Sequence, residues 1–412
     1  MLDESQIRRW DSVEVAAKLE GQPAGEALGR EVASRSSLEL LRVLIRRCNP
    51  TSQEEIRRLI PDFGDWNDLL AQAREHRVLQ IVLKHLQESG ATVPERVRQR
   101  LHVEFGRSAF HALASAAELL AILQEFGRQS IDAMPFKGLV LASSIYGDLA
   151  TRPAGDLDLL VHSRDLKRAT KIVLDRGYEL TTAVRADGLP IDENYFECHF
   201  ERPSDGMVVE LRWRLELVYS KFKRDLGMDW VWPTRRTTLL AGAQVPNLDP
   251  ERTLLLLCMH ASKHAWSRLI WICDVAQLLE VERELDWDLA IREAKRVGLW
   301  RPVALGVLLA HRVIGAAVPE EILKSFESDA ASRSLAQYFQ TSVFDAPGVL
   351  PKSRVPYAIK LLGWKDRMKL LLSLDLLRPN ERDLETLRLP KLLYPIYFLF
   401  RAVRLAVDRS AR

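Results

Sequence analysis

The sequence predicts an α+β fold, a small mixed sheet with helices set between two α-helical stretches. Three observations carry that prediction. Up to about residue 130 the apolar residues recur at helical spacing. From Ile131 they fall into short runs that alternate or are wholly apolar, which is strand patterning. After Pro250 helical spacing returns. The boundaries expected are a helical domain over 1–130, a sheet domain over 131–235 and a second helical domain over 246–412. At 412 residues the chain is long enough for such a set of cores. It is 47% hydrophobic and 28% charged with a net charge of +3, a balance that calls for no nucleic-acid partner. Cys48, Cys198, Cys258 and Cys273 are widely spaced with no CxxC, so neither a disulfide framework nor a zinc ribbon is expected. The start, MLDESQIRRWDS, is polar, and no uninterrupted apolar run reaches about 20 residues. A cytoplasmic protein with no transmembrane span is the expectation.

The first elements are helical. Ser37–Arg47 has apolar residues at helical spacing. Thr51 with Glu54 three residues later has the form of a capping box. Asp65–Leu86 reads as a helix followed by a turn or a second helix, and Pro94 opens a long amphipathic segment ending near Gln129. The sheet segment follows in the order β-α-β-α-β-β-β. IDAMPF, with Pro135 near its end, suits an edge strand. Gly138 permits a sharp turn into a helix that stops at Gly147. GDLDLLV is a buried strand, and Asp165–Gly177 an amphipathic helix with Gly177 at its end. Tyr178–Thr182, Glu193–Glu201 and Met207–Trp213 are strands, the last two joined as a hairpin through Pro203–Gly206. TRRTT reads as a basic, polar linker. Pro246–Pro250 then introduces helices that continue to the end, interrupted near Phe344–Pro356. No fixed repeat period supports a solenoid.

The chemistry concentrates in Phe136–Val161, FKGLVLASSIYGDLATRPAGDLDLLV. Asp156 and Asp158, two residues apart on an apolar strand, point to the same side of a sheet. Two like charges ~4 Å apart at an effective dielectric of ~20 repel by ~4 kcal/mol. A raised pKa on one carboxyl or a shared divalent cation relieves this. Transfer of a phosphoryl or nucleotidyl group needs such carboxylates, because they fix the cations that clamp attacking and leaving oxygens. Glu210 in MVVELRW is the candidate third acid from a neighbouring strand. Gly138 would let backbone N–H groups approach phosphates, and Lys137 and Arg152 could neutralise them.

Lys137-Gly138, Tyr146, Arg152 and Gly155-Asp-Leu-Asp158 together resemble the core of the DNA polymerase β-like nucleotidyltransferase superfamily. More closely, the chain is similar to the uncharacterised bacterial nucleotidyltransferases of the NTP_transf_5 type. Asp65-Trp66 through His76-Arg77-Val78 looks like that family's N-terminal segment. Cys258-Met-His260 through His264, then Trp271 to Asp274, resembles its C-terminal stretch. The resemblance implies a small polymerase β-like palm flanked by N- and C-terminal helical domains, with Asp156 and Asp158 as catalytic and metal ligands and Glu210 as the third. It implies Mg²⁺ or Mn²⁺, an NTP such as ATP as substrate, and an acceptor that is a small molecule, peptide, protein or RNA. The chain departs from the pattern at two points. The superfamily's Gly-Ser turn is here Lys137-Gly138-Leu139, with Ser143 and Ser144 a helical turn later. The third-acid strand, which carries His two residues on in the family, has Arg212.

Each residue also has a plainer reading. Lys137 either meets phosphate or snorkels over its helix. Arg152 either meets a triphosphate or pairs with Asp148 or Asp156. Ser143 and Ser144 are helix-face residues or phosphate contacts. His260 and His264 share a helix face at i, i+4. That spacing can bind zinc, but with Lys263 between them and no HExxH Glu it fits packing or lining of a substrate cleft better. The segment Leu389–Arg409 is apolar, aromatic and basic. It reads as a docked final helix, with peripheral membrane contact as the lesser alternative. The function expected is NMP transfer from an NTP with release of pyrophosphate. The rivals are a non-catalytic binding or scaffold protein that retains the palm, and a toxin-like enzyme that modifies tRNA.

Overall fold

The computed structural model describes residues 37–46, 50–153, 155–182, 196–215, 226–345, 357 and 360–362. The N-terminal helices are α1 (37–44), α2 (Pro50–Leu59), α3 (Trp66–Glu75), α4 (Leu79–Ser89) and the long α5 (Glu95–Arg128). Asp65 caps α3 by accepting from the Asp68 amide at 3.1 Å, and Gly90 ends α4 in the left-handed region at φ 66°. Thr51 is not a cap. The helix already begins at Pro50, where a missing N–H costs nothing.

The sheet elements are β1 (Ala133–Pro135), α6 (Gly138–Ser144), β2 (Leu157–Val161), α7 (Leu166–Asp175), β3 (Glu179–Leu180), β4 (Glu197–Arg202) and β5 (Met207–Arg212). The expected order holds. The strands lie in the spatial order β1-β2-β5-β4-β3, with β2 and β5 parallel and the other pairs antiparallel. β1 is an edge, as Pro135 requires. A short helix α8 (Met228–Val231) leads to a separate hairpin, β6 (Arg236–Leu240) and β7 (Ala243–Asn247). The last three residues of the TRRTT segment, Arg236–Thr238, are therefore strand rather than linker. Ala241 and Gly242, both at positive φ (47° and 86°), close the hairpin as a two-residue turn. The remaining helices are α9 (Pro250–Lys263), α10 (Leu269–Val281), α11 (Trp287–Val297), α12 (Trp300–Leu309), α13 (Glu320–Ser328) and α14 (Ala330–Asp345). Leu389–Arg409, Cys48 and the interruption near 344–356 fall wholly or largely outside the described residues.

Strand alternation gives the sheet two unlike faces. Leu157, Leu159, Val161, Val209, Leu211, Cys198 and Phe200 point to one side and pack with α7 and with Ala112, Ala116, Leu119, Ile122 and Phe126 of α5. Leu240 and Val245 of the hairpin join the same cluster. Asp158, Glu210, Arg212, Glu197 and His199 occupy the alternate positions, so they share the other face. On that side α1–α4 and α9–α14 form one continuous apolar cluster, which also takes in Met134, Phe136, Leu141, Ile145 and Leu160. The two helical regions at opposite ends of the chain thus share a core. By length and composition alone α5 could cross a membrane. Here its second half lies against the sheet as a core helix. Cys198, Cys258 and Cys273 are buried and free.

Candidate active site

Register brings the polar face of the sheet together. Asp158 on β2 stands opposite Glu210 on β5, and Glu210 stands opposite His199 on β4. One pleat further along, Arg212 stands opposite Glu197. The Arg212 guanidinium ion-pairs with Glu197 and Glu210, and its Nε faces Asp158 Oδ1 at 3.5 Å. His199 bridges two of the acids, with Nε2 3.1 Å from Glu197 Oε1 and Nδ1 3.4 Å from Glu210 Oε1. Lys137 Nζ lies 3.2 Å from Asp158 Oδ1. Asp156, two residues before Asp158, is exposed at the strand's mouth.

Asp156, Asp158, Glu197, Glu210 and Arg212 form the floor of a cleft of about 760 Å³. Lys137 and Gly138 lie at one edge, where β1 turns into α6. Both have positive φ, 59° and 34°, which is costly for Lys137. A Cβ on Gly138 would stand 3.5 Å from the Asp156 carbonyl oxygen, so this turn and the start of β2 are in close approach. The opposite wall comes from the helices. His260, Lys263 and His264 of α9 and its end, Ser267, Arg268, Trp271 and, from the α3–α4 turn, Arg77 all face the cleft. His264 stacks on Trp271 with ring centres 5.1 Å apart, and His260 meets both rings edge-on.

The electrostatics follow from crowding four acids on one floor. Burial, then the neighbouring Asp158 charge, pushes Glu210 up to about 8. Partial loss of water at the cleft mouth, then the Asp158 charge, raises Asp156 above the usual carboxylate range. Burial acts against Asp158 too, but Lys137 and Arg212 outweigh it and hold that carboxyl ionised. At neutral pH Glu210 therefore keeps a proton beside an ionised Asp158. Burial, with Lys137 and His264 nearby, keeps His260 neutral.

A divalent cation was expected on Asp156, Asp158 and Glu210. Among the described residues no three His, Cys, Asp or Glu side chains stand in a metal-holding group. The donor chemistry nevertheless fits Mg²⁺, which takes one or two protein carboxylates and fills its octahedron with phosphate oxygens and water. The proton held on Glu210 marks the same excess of negative charge. The spacing of His260 and His264 is used for ring packing.

Not every expected residue reaches the cleft. Ser143 turns the other way and donates to the Leu239 carbonyl of the hairpin, and neither it nor Ser144 lines the site. The two serines follow the buried Leu139–Ala142 turn of α6, beyond reach of the Lys137-Gly138 end. Arg152 lines the cleft but pairs with neither Asp148 nor Asp156. Its Nε and Nη2 bind the two oxygens of Asp274 on α10 at 2.8 and 2.9 Å, and Tyr146 donates to the same carboxylate at 2.9 Å. Asp148 instead accepts from the Ala150 amide and the Thr151 hydroxyl. Arg77, Glu197, His199 and Arg268 were not singled out from the sequence. Strand alternation in ECHFER would have placed Glu197 and His199 on one face, but only the pairing of β4 with β5 shows that this is Glu210's face.

Comparison with known proteins agrees with this picture. A family model described as "Uncharacterised nucleotidyltransferase" matches residues 63–315, more than half of the chain. No curated protein matches. The crystal structure of an antigenic nucleotidyltransferase-like protein from Paracoccidioides brasiliensis is 19% identical, with a TM-score of 0.29 over 46% of this chain and 91% of that one. At that score the likeness carries no argument.

Proposed function

The chain belongs to the uncharacterised nucleotidyltransferase family, and from that premise we propose that it moves an NMP unit from an NTP to an acceptor and releases pyrophosphate in a metal-dependent reaction. The observation that carries this reading is the facing pair Asp158 and Glu210 on parallel strands, with Asp156 at the mouth of the same cleft. Asp156, Asp158 and Glu210 would hold Mg²⁺ or Mn²⁺, which when bound neutralises phosphate charge and clamps attacking and leaving oxygens. Lys137 keeps Asp158 ionised and in place. Arg212 and His199 hold the Glu210 carboxyl on the cleft floor. Glu210 holds a proton at neutral pH while the floor carries no divalent cation; with one bound that proton would be displaced, and the ionised carboxylate could then take the proton of an acceptor hydroxyl. In the balanced step the acceptor oxygen bonds to the α-phosphorus, the α–β bridging bond breaks, and pyrophosphate leaves with its electron pair. The hydroxyl proton passes to Glu210.

One observation favours a different reading. Arg212 already gives Asp158, Glu197 and Glu210 an internal cation, as would suit a binding protein that keeps the palm without turnover. The two separate on incubation with α-labelled NTPs, Mg²⁺ and fractionated cell extract. The enzyme reading expects label in one fraction with the wild type and none with Asp158→Ala. Label in RNA would identify a tRNA-modifying enzyme. No transfer by the wild type to RNA, protein or small molecules would leave the binding reading standing.

A further inference from the structure

Two cations of the cleft have no partner among the described residues. Lys137 and Arg212 are matched to the acids of the floor, and Arg152 is matched to Asp274. Arg77 and Arg268 line the same cleft from the helical wall, yet neither guanidinium takes part in an ion pair or a hydrogen bond there. Each lies within electrostatic reach of the other, and Arg77 also feels Arg152 and Asp156.

The fold goes to some length to put these two side by side. They come from distant parts of the chain, the α3–α4 turn and the residue before α10. His76 fastens the two together: its ring Nδ1 accepts from the Leu269 amide at 3.3 Å and its carbonyl accepts from the Ile270 amide at 3.2 Å. Burial, and then the charge of Arg268, lowers His76 to about 4, so the ring stays neutral and can accept. These bonds consume the first free amides of α10. Anion-binding capacity at this spot therefore lies in the guanidiniums rather than in the helix end. The backbone is strained on both sides of the contact. Arg77 has φ 56°, and Ala265 and Trp266, just before Ser267 and Arg268, have φ 51° and 52°. Non-glycine residues held at such angles cost on the order of 1–3 kcal/mol each and persist where the surroundings enforce them.

We propose that Arg77 and Arg268 form a binding site for polyphosphate, and that its occupant is the β- and γ-phosphates of the donor nucleotide. Two guanidiniums set at one wall of a cleft, neither with an ion-pair partner among the described residues, match an anion with several oxygens. The floor acids at Asp156 and Asp158 then face the α-phosphate, and the leaving pyrophosphate lies against the helical wall. The donor assignment rests on the nucleotidyltransferase reading, whereas the polyphosphate site itself does not.

Calorimetric titration of the full chain with inorganic pyrophosphate, in EDTA and at low ionic strength, tests the site. The wild type should bind, Arg77→Gln and Arg268→Gln should each weaken binding about tenfold, and Arg268→Lys should restore most of the loss. A merely structural role would not distinguish Lys from Gln. Titration with ATP and with AMP, both with Mg²⁺, tests the occupant. The Gln variants should weaken ATP about as much as pyrophosphate and leave AMP nearly unchanged. Absence of pyrophosphate binding by the wild type, or equal binding by wild type and both Gln variants, overturns the site. Loss of pyrophosphate affinity with ATP unaffected, or AMP weakened as strongly as ATP, overturns the donor assignment. The EDTA arm needs no cation on the floor acids, so failed Mg²⁺-dependent turnover would sink the nucleotidyltransferase reading alone.

Discussion

Asp274→Ala should destabilise the chain more than any single change on the cleft floor. Asp274 is only 1% exposed, and its partner Arg152 is 12% exposed. The carboxylate accepts two parallel bonds from Arg152 and a third from the Tyr146 hydroxyl. These contacts tie the loop before β2 and the end of α6 to α10, across more than a hundred residues of chain. Truncating the acid leaves a buried guanidinium and a buried phenol without their acceptor. Breaking a buried pair from one side costs about 3–5 kcal/mol. Replacing both members by apolar residues removes the stranded charge. Arg152→Met with Asp274→Leu should therefore recover most of the loss. Urea unfolding followed by circular dichroism measures both. A loss below about 1 kcal/mol for Asp274→Ala would refute the reasoning, since that is the range of an exposed pair. So would a double variant no more stable than the single one.

Two further outcomes follow from the same geometry. Glu210 has a folded value of about 8 against an ordinary 4.5, so the folded protein holds an extra proton between those values. Its contribution is complete below about 4.5 and is lost as pH rises through about 8. In EDTA, the wild type should lose stability relative to Glu210→Gln as pH rises through that window; parallel unfolding-midpoint curves for the two would count against the assignment. Gly306 on α12 lies against α9, where an added Cβ would stand 2.4 Å from Cys258 Sγ and 2.8 Å from the Trp266 ring. Gly306→Ala should cost about 1–3 kcal/mol by overpacking, and an unchanged thermal midpoint would show that the crossing is looser than described.

The parts of this molecule that sequence could reveal are those set by local period. The alternation in LDLLV, ECHFER and MVVELR fixes which side chains share a face within each strand, so Asp158 could be set apart from Leu157 and Leu159 by spacing alone, whereas Asp156 lies before the strand begins. The helices at Trp66, Glu95 and Pro250 announce themselves by cap residues and apolar spacing. What spacing cannot supply is register and distant partnership. Glu210 could be named as the third acid, but its position opposite Asp158 depends on a parallel pairing that no local signal encodes. The partner of Arg152 lies on α10, whereas sequence spacing offers only the nearer Asp148 and Asp156. Arg236–Thr238, the part of TRRTT that is strand, reads as linker because Arg236 and Thr237 are exposed, which leaves little apolar alternation to read. Arg77 sat inside a segment recognisable as the family's, yet only the folded His76 contact shows that it meets Arg268.

The central claim is that the Asp156, Asp158 and Glu210 floor takes a nucleotide together with a divalent cation. Calorimetric titration of ATP into wild type and Asp158→Ala, each with and without Mg²⁺, tests it most directly. Binding by the wild type that requires Mg²⁺, with the requirement lost and affinity reduced in Asp158→Ala, is the result this account predicts. Equal binding by the two proteins, or wild-type binding indifferent to Mg²⁺, would contradict it.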